Sequence, residues 1–232
     1  MATQPILEIE SACVAESEYA DTHALDFRLM PGELALIDAD EPSAEWFADL
    51  CLGLIPLRTG LVRFLGHDWT ATPPDYAAAL RGSIGRVFRR DSWLGFLDTA
   101  TNILLARFHH THTPPEDLRA AAVRLAEAFG LPGLPLDPPH ALAPLDLARA
   151  ACVRVFLGDP VLLLLEHPCR EEQFDALATH LLEALADARQ RGAAAIWLTR
   201  SARVWSEGSV RADHRLVLHQ HGLFRAAGSR PS

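Results

Sequence analysis

Residues 6–14 (ILEIESACV) alternate apolar and polar side chains with the period of a half-buried strand. ALDFRLMPGELALID then predicts two strands around a turn at Pro31 and Gly32, and Leu34 to Ile37 is an apolar run suited to a buried strand. A helix opened by Pro42 and Ser43 should follow, with Trp46, Phe47, Leu50 and Leu54 at helical spacing. TGLVRFLGHDW is a further strand and turn, and SIGRVFRRD holds a short strand near Ile84 to Phe88.

The middle third has the longer period of helices. Thr113-Pro114-Pro115-Glu116 has the form of a capping box with proline at the first helical position. Leu118, Ala122, Leu125, Ala126 and Phe129 make one apolar stripe, which Gly130 and Pro132 end. LPGLPLDPPHALAP is a proline-rich connector, LDLARAACVRVFLG is helical and PVLLLLE is a buried strand. Phe174, Leu177, Leu181 and Leu185 mark another amphipathic helix. AAAIWLT is a strand, and HRLVLHQHGLF is a hairpin turning near His221 and Gly222. Strands alternating with helices predict an α/β fold.

Composition narrows the function classes. The 232 residues are 49% hydrophobic, enough for one large domain or a core with a subdomain. A net charge of −9 argues against nucleic acid as a partner. There is no long apolar run to span a membrane, and the first residues are acidic where a signal peptide would be basic, so a cytoplasmic address is expected. Cys13, Cys51, Cys152 and Cys169 lack C-x-x-C spacing and predict buried free thiols in a reducing compartment. His109 to His112 (HHTH) lack nearby carboxylate or thiolate ligands and suit a solvated loop, so no metal site is expected. The chain contains no lysine: its 21 basic residues are all arginines.

That absence matters in LMPGELALIDADEPSAEWFADLCLGL, which has the strand, tight loop and helix of a phosphate-cradling P-loop, G-x-x-x-x-G-K-[ST]. The lysine position falls on Ala44 and the hydroxyl position on Glu45. Further along, Pro31-Gly32-Glu33, Gly53-Leu54, GLVRFLG from Gly60 to Gly66, Ile84-Gly85 with Val87-Phe88, Asn102-Ile103, Asp159-Pro160 with the leucine run to Pro168, Trp197-Leu198-Thr199 and Asp213 with Arg215 follow in fixed order. In that order the chain resembles the ATP-binding cassette (ABC) ATPase subunit over nearly its whole length. The resemblance implies a single ABC ATPase-like α/β domain over 1–232. Residues 1–90 and 146–232 would form the RecA-like P-loop core with N-terminal antiparallel strands. Residues 91–145 would form an inserted helical subdomain.

Carried onto the family's functional positions, the resemblance finds substitutions. The P-loop glycines fall on Asp38, Glu41 and Ser43. Asp38, Asp40, Glu41 and Glu45 put negative charge in the cup, where like charges repel by roughly 4 kcal/mol per pair at 4 Å and an effective dielectric of 20. One carboxylate is expected to cap the helix where phosphate would sit. The Walker B aspartate falls on Glu166, the catalytic glutamate on His167, the Q-loop glutamine on Arg89 and the switch histidine on Arg200. The signature falls on Leu142-Ala143-Pro144-Leu145-Asp146, where Ala143 has no hydroxyl and Pro144 no N–H. The adenine-stacking aromatic falls near Glu16, with Tyr19 as a substitute. Glu166, His167 and Arg200 are expected to be remnants of an old site rather than a new catalytic set. Glu171-Glu172 reads as a solvated helix start.

On these residues the chain is expected to be a non-hydrolysing pseudo-ATPase, no enzyme, with no ATP or magnesium cofactor. Arg89, Arg90, Trp93, Leu94 and Phe96 lie where the family forms its groove for transmembrane subunits, and are the docking candidates. The implied partners are transmembrane transporter subunits and a second cassette, as a homodimer or as a heterodimer with an ABC ATPase paralogue. The implied place is the cytoplasmic face of the membrane. NILLARFHH resembles the ATPases of MCE-type lipid transporters, which suggests lipid as the cargo class. Two other readings are a soluble regulatory or scaffold partner of another ABC ATPase, and an active ATPase with displaced residues.

Overall fold

The computed structural model describes residues 4–14, 24–88, 92–111, 113–206, 210–219 and 222–226. The elements of the first half are β1 (Leu7–Val14), β2 (Leu25–Leu29), β3 (Leu34–Asp38), α1 (Glu41–Cys51), β4 (Leu57–Phe64), β5 (His67–Asp68), α2 (Pro74–Arg81) and β6 (Ile84–Val87). There follow α3 (Thr99–His110), α4 (Pro115–Ala128), α5 (Pro144–Phe156), β7 (Leu162–Glu166), α6 (Phe174–Gln190), β8 (Ala194–Leu198), α7 (Ala202–Trp205), β9 (His214–His219) and β10 (Gly222–Arg225).

The strands sort by their patterns. β2 alternates buried and exposed residues and joins an antiparallel sheet in the order β2-β1-β4-β5. β7 and β8 are buried at every residue, as strands covered on both faces must be. They lie in the second sheet, ordered β10-β9-β3-β8-β7-β6. Its four inner pairings from β9 to β6 are parallel, and β10 closes it antiparallel on β9.

Alternate residues of the parallel strands feed two cores. Ala35, Ile37, Leu164, Ile196 and Leu198 face Phe27, Phe64 and the Phe47 and Leu50 side of α1. Leu36, Leu163, Leu165 and Trp197 face the helical layer, including Ala122 of α4, Val153 of α5 and Leu181 of α6. The parallel sheet thus separates α1, with the antiparallel sheet, from α4 to α6.

Several local expectations change. Leu54 lies past the end of α1 and is 54% exposed. Thr113 does not cap α4: the preceding residue is Pro114, and no side chain bonds the helix head. The Thr113 hydroxyl bonds the Thr111 hydroxyl instead, at 2.7 Å. Where a side-chain cap is present, at α3, Asp98 Oδ1 accepts from Thr101 N at 2.6 Å. Asp98→Ala is therefore expected to lower stability by about 1 kcal/mol, and Thr113→Ala by less than about 0.5, in denaturant melts. A larger loss at Thr113 would contradict the assignment. All four cysteines are free, but only Cys51 and Cys152 are buried. Burial raises both of those thiol pKa values, and that of the half-buried Cys169 to about 11. In the β9–β10 hairpin, His221 lies outside the described residues and Gly222 begins β10. Among the described residues no helix is long and apolar enough to cross a membrane.

Candidate functional site

Parallel strands end together, and the loops after them meet. His167 N donates to the Leu198 carbonyl at 2.9 Å and Thr199 N to the Ile37 carbonyl at 3.0 Å, which ties the ends of β7, β8 and β3. This brings Asp38 to Glu41, Glu166 to His167 and Thr199 to Arg200 to one edge of the sheet, as ligand sites in such sheets require. His167 takes the left-handed backbone, φ 44°, a strained state for a residue with a side chain.

The carboxylate expected at the helix head is that of Asp40. It is the N-cap of α1, and its Oδ1 accepts from Ser43 N at 2.9 Å. Hydrogen bonding from the Ser43 side chain, ahead of the backbone N–H, holds Asp40 below the usual carboxylate range. Ala44 is buried with no charge to offer, and Glu41 and Glu45 are exposed beside it. Asp38 Oδ1 lies 3.6 Å from Arg200 Nε. Asp40 thus holds the Ser43 N–H, one of the donors that a P-loop turns toward phosphate.

A group that sequence reasoning missed stands under α1. Arg86 of β6 is nearly buried, its side chain 6% exposed. Its Nε bonds Glu166 Oε1, and its Nη1 bonds Asp49 Oδ1 at 2.5 Å. Its Nη2 reaches the Glu45 carbonyl at 3.4 Å, and the guanidinium lies over the Phe88 ring, 4.5 Å from the centroid. The Glu166 side chain is 1% exposed, and its Oε2 has no hydrogen-bond partner among the described residues. Burial raises the Glu166 pKa, although Arg86 opposes the shift. For Arg86, burial acts downward, but the bonds and charges of Glu166 and Asp49 leave its pKa raised.

Two cavities flank His167. One, of about 490 Å³, is lined by Glu41, His167, Arg170, Thr199, Arg200 and Ser201 among others. Another, of about 360 Å³, includes Pro144, Arg154 and His167, so the signature position and the β7 end share one hollow. Pro144 opens α5 with Ala143 as its uncapped N-cap, and Asp146 pairs with Arg149 at 3.0 Å. Arg89, Arg90, Glu16 and Tyr19 lie outside the described residues. Of the other docking candidates, Trp93 is half-buried, Leu94 is 39% exposed and Phe96 82%. Leu94 and Phe88 line a groove of about 570 Å³ between β6, α3 and α5. His109 and His110 stand at its end, on the last turn of α3, and His112 is outside the described residues.

No protein-family model matches the chain. It is 30% identical to the nickel import ATP-binding protein NikO of Rhodobacter capsulatus, over 97% of this chain and 89% of that protein. In structure it is similar to cbiO1 of Clostridium perfringens, part of the ABC transporter complex cbiONQ. The TM-score is 0.73 at 15% identity, over 95% of this chain and 87% of the other. It is also similar to the dimeric cassette MJ0796 in a post-hydrolysis state bound to ADP and Pi. There the TM-score is 0.75 at 13% identity, over 96% of this chain and all of the other. The α/β cassette fold is as expected.

Two expectations are corrected by these likenesses. A chain related end to end to an ATP-binding protein does not support "no enzyme", nor "no ATP or magnesium". The physical reason is that both expectations rested on the residues of one pose. A closed lysine route at the head of α1 does not close the edge of the sheet, where Arg170, Arg200 and the hydroxyls of Thr199 and Ser201 line the same cavity.

Proposed function

We propose, from the premise that the chain belongs to the family of ATP-binding subunits of ABC transporters, that it is the cassette of a membrane transporter and docks transmembrane subunits at the cytoplasmic face. The observation that supports docking most is the groove beside β6, where Phe88 and Leu94 leave large apolar side chains open to solvent, with Phe96 exposed two residues past Leu94. Exposed aromatic and aliphatic anchors around a concavity are what an interface uses. In this reading residues 91–145 are the helical subdomain that forms one wall of the groove. Residues 1–90 and 146–232 are the core, and a second cassette, identical or paralogous, completes the assembly. A cysteine at Phe96 should form a disulfide with a cysteine in a cytoplasmic loop of the transporter's transmembrane subunit when the two are co-expressed. No cross-link from Phe96 or Leu94 to any such loop would remove the docking role.

The cargo we propose is a metal ion, following the nickel importer relative, in place of the lipid suggested by NILLARFHH. Cells lacking the chain should lose nickel uptake, and unchanged nickel uptake would exclude that cargo.

Nucleotide contacts are assigned to arginine rather than lysine. Arg170 and Arg200 are both exposed on the cavity beyond the head of α1. A charge-assisted bond from guanidinium to phosphate contributes about 1.5–3 kcal/mol. Arg170→Ala and Arg200→Ala are each expected to weaken Mg-ATP binding by about tenfold or more in calorimetry. An unchanged affinity in the double variant would remove these residues from the site.

A further inference from the structure

The groove beside β6 carries a charge opposite to that of the whole chain. The protein has a formal net charge of −9, yet no carboxylate stands among the described residues that line the groove. Its basic lining includes Arg81, Arg107 and Arg154, together with His109 and His110. Arg86 also reaches it, but Asp49 and Glu166 already hold that guanidinium. The other three arginines are held by uncharged groups. Arg81 Nε donates to the Leu52 carbonyl at 2.9 Å, and Arg107 Nη1 to the Gly82 carbonyl at 2.9 Å.

Arg154 is the most enclosed of these three. Its Nη1 donates to the Ser92 carbonyl at 2.9 Å and its Nη2 to the Ser92 hydroxyl at 2.5 Å. The guanidinium lies over the Trp93 ring at 4.2 Å and near the Phe88 ring at 5.9 Å. Among the described residues it forms no ion pair. Burial lowers its pKa to about 10, so it stays charged at neutral pH. These contacts fix where the charge sits and do not neutralise it. A desolvated cation without a counter-charge is costly, and a carboxylate brought to it in a dry groove recovers that cost.

We infer that the segment received by this groove is an acidic amphipathic helix, which places a carboxylate on Arg154 and apolar side chains against Phe88 and Leu94. This rests on the docking role proposed above and adds the chemistry of the partner. The apolar rim favours a peptide over a small free anion, because Phe88 and Leu94 offer a phosphate nothing to bond. Among the described lining residues a basic helix finds only like charge, which gives the selectivity.

The test uses three labelled helical peptides with leucines at i and i+4, identical except for glutamate, glutamine or lysine at the flanking positions. Fluorescence anisotropy with the full chain is expected to show the glutamate peptide binding about tenfold more tightly than the glutamine peptide, with the lysine peptide weakest. Arg154→Gln should abolish the preference, and Arg154→Lys should keep part of it. Should either variant fail to fold by circular dichroism, a salt titration of the unaltered chain serves, since the glutamate preference must shrink as ionic strength rises. Equal binding of the three peptides, weakened alike by Leu94→Ala, would overturn the acidic partner while leaving the docking role standing. Binding of inorganic phosphate in the groove with no peptide preference would overturn it in favour of a small anion. No peptide binding, together with no cross-link from Phe96→Cys, would remove both.

Discussion

Arg86→Met is expected to lower the free energy of unfolding by about 3–5 kcal/mol, the usual loss when one partner of a buried ion pair is removed. Adding Glu166→Leu should restore most of it. Arg86 is the only group bonding the Glu166 carboxylate among the described residues, and the Glu166 side chain is 1% exposed. Without the guanidinium, Glu166 must stay charged in an apolar layer or take up a proton. Asp49, 34% exposed, can turn to water and needs no rescue.

The effect should depend on pH in a definite direction. Burial raises the Glu166 pKa above its unfolded value of about 4.5, so the folded state binds more protons between the two values. The contribution of this group is full below the unfolded pKa and is lost as pH rises through the folded one. Removing Arg86 removes the influence that opposes the shift, so the window widens upward. The deficit of Arg86→Met should therefore be larger at about pH 8 than at about pH 5. Denaturant melts at both values measure this. A loss below about 1 kcal/mol, or no recovery with Glu166→Leu, would mean that water reaches the pair.

The second large effect is expected far from that edge, in the antiparallel sheet. Gly60→Ala should cost about 3 kcal/mol. Gly60 has φ 77°, and a Cβ there would lie 2.2 Å from the Ser11 carbonyl oxygen and 2.5 Å from that of Glu10. Both neighbours are backbone, which cannot swing aside. They belong to a bulge in β1, where the register to β4 shifts between Glu10 and Cys13 and Ser11 itself has φ 45°. The left-handed backbone costs a residue with a Cβ about 1–2 kcal/mol, and the clash adds about 1–3. Gly192→Ala is the comparison: it has φ 94° and nothing within 4 Å of the added carbon, so only the backbone cost applies. Equal losses at the two sites in thermal melts would show that the bulge moves.

The fold was legible where a single segment carries its own period. β1, β3, β7 and α6 each show in their residues which side is covered. A carboxylate at the head of α1 was legible as well, because a helix start attracts acidic residues locally and Asp40 lies three residues before Ser43. Arg86 was not. In SIGRVF it reads as an ordinary polar strand residue, and its meaning lies in Glu166, 80 positions away. The cap at Thr113 was misread because the local string fits the pattern while Pro114 takes the cap position. "No enzyme" and "no ATP" failed for a further reason: a missing lysine removes one contact, whereas binding is a sum over a surface that other arginines also reach.

The order of the parallel sheet bears on how the chain can be made. β3 lies between β8 and β9, with Leu34 beside Ala195 and Ala35 beside both Ile196 and His214. A ribosome releases β3 early and both of its neighbours late. Until then an apolar strand with two open edges and two uncovered faces must wait, and such a strand is prone to intermolecular pairing. Chaperone dependence during synthesis, and inclusion-body formation by chains stopped before residue 194, follow from that delay.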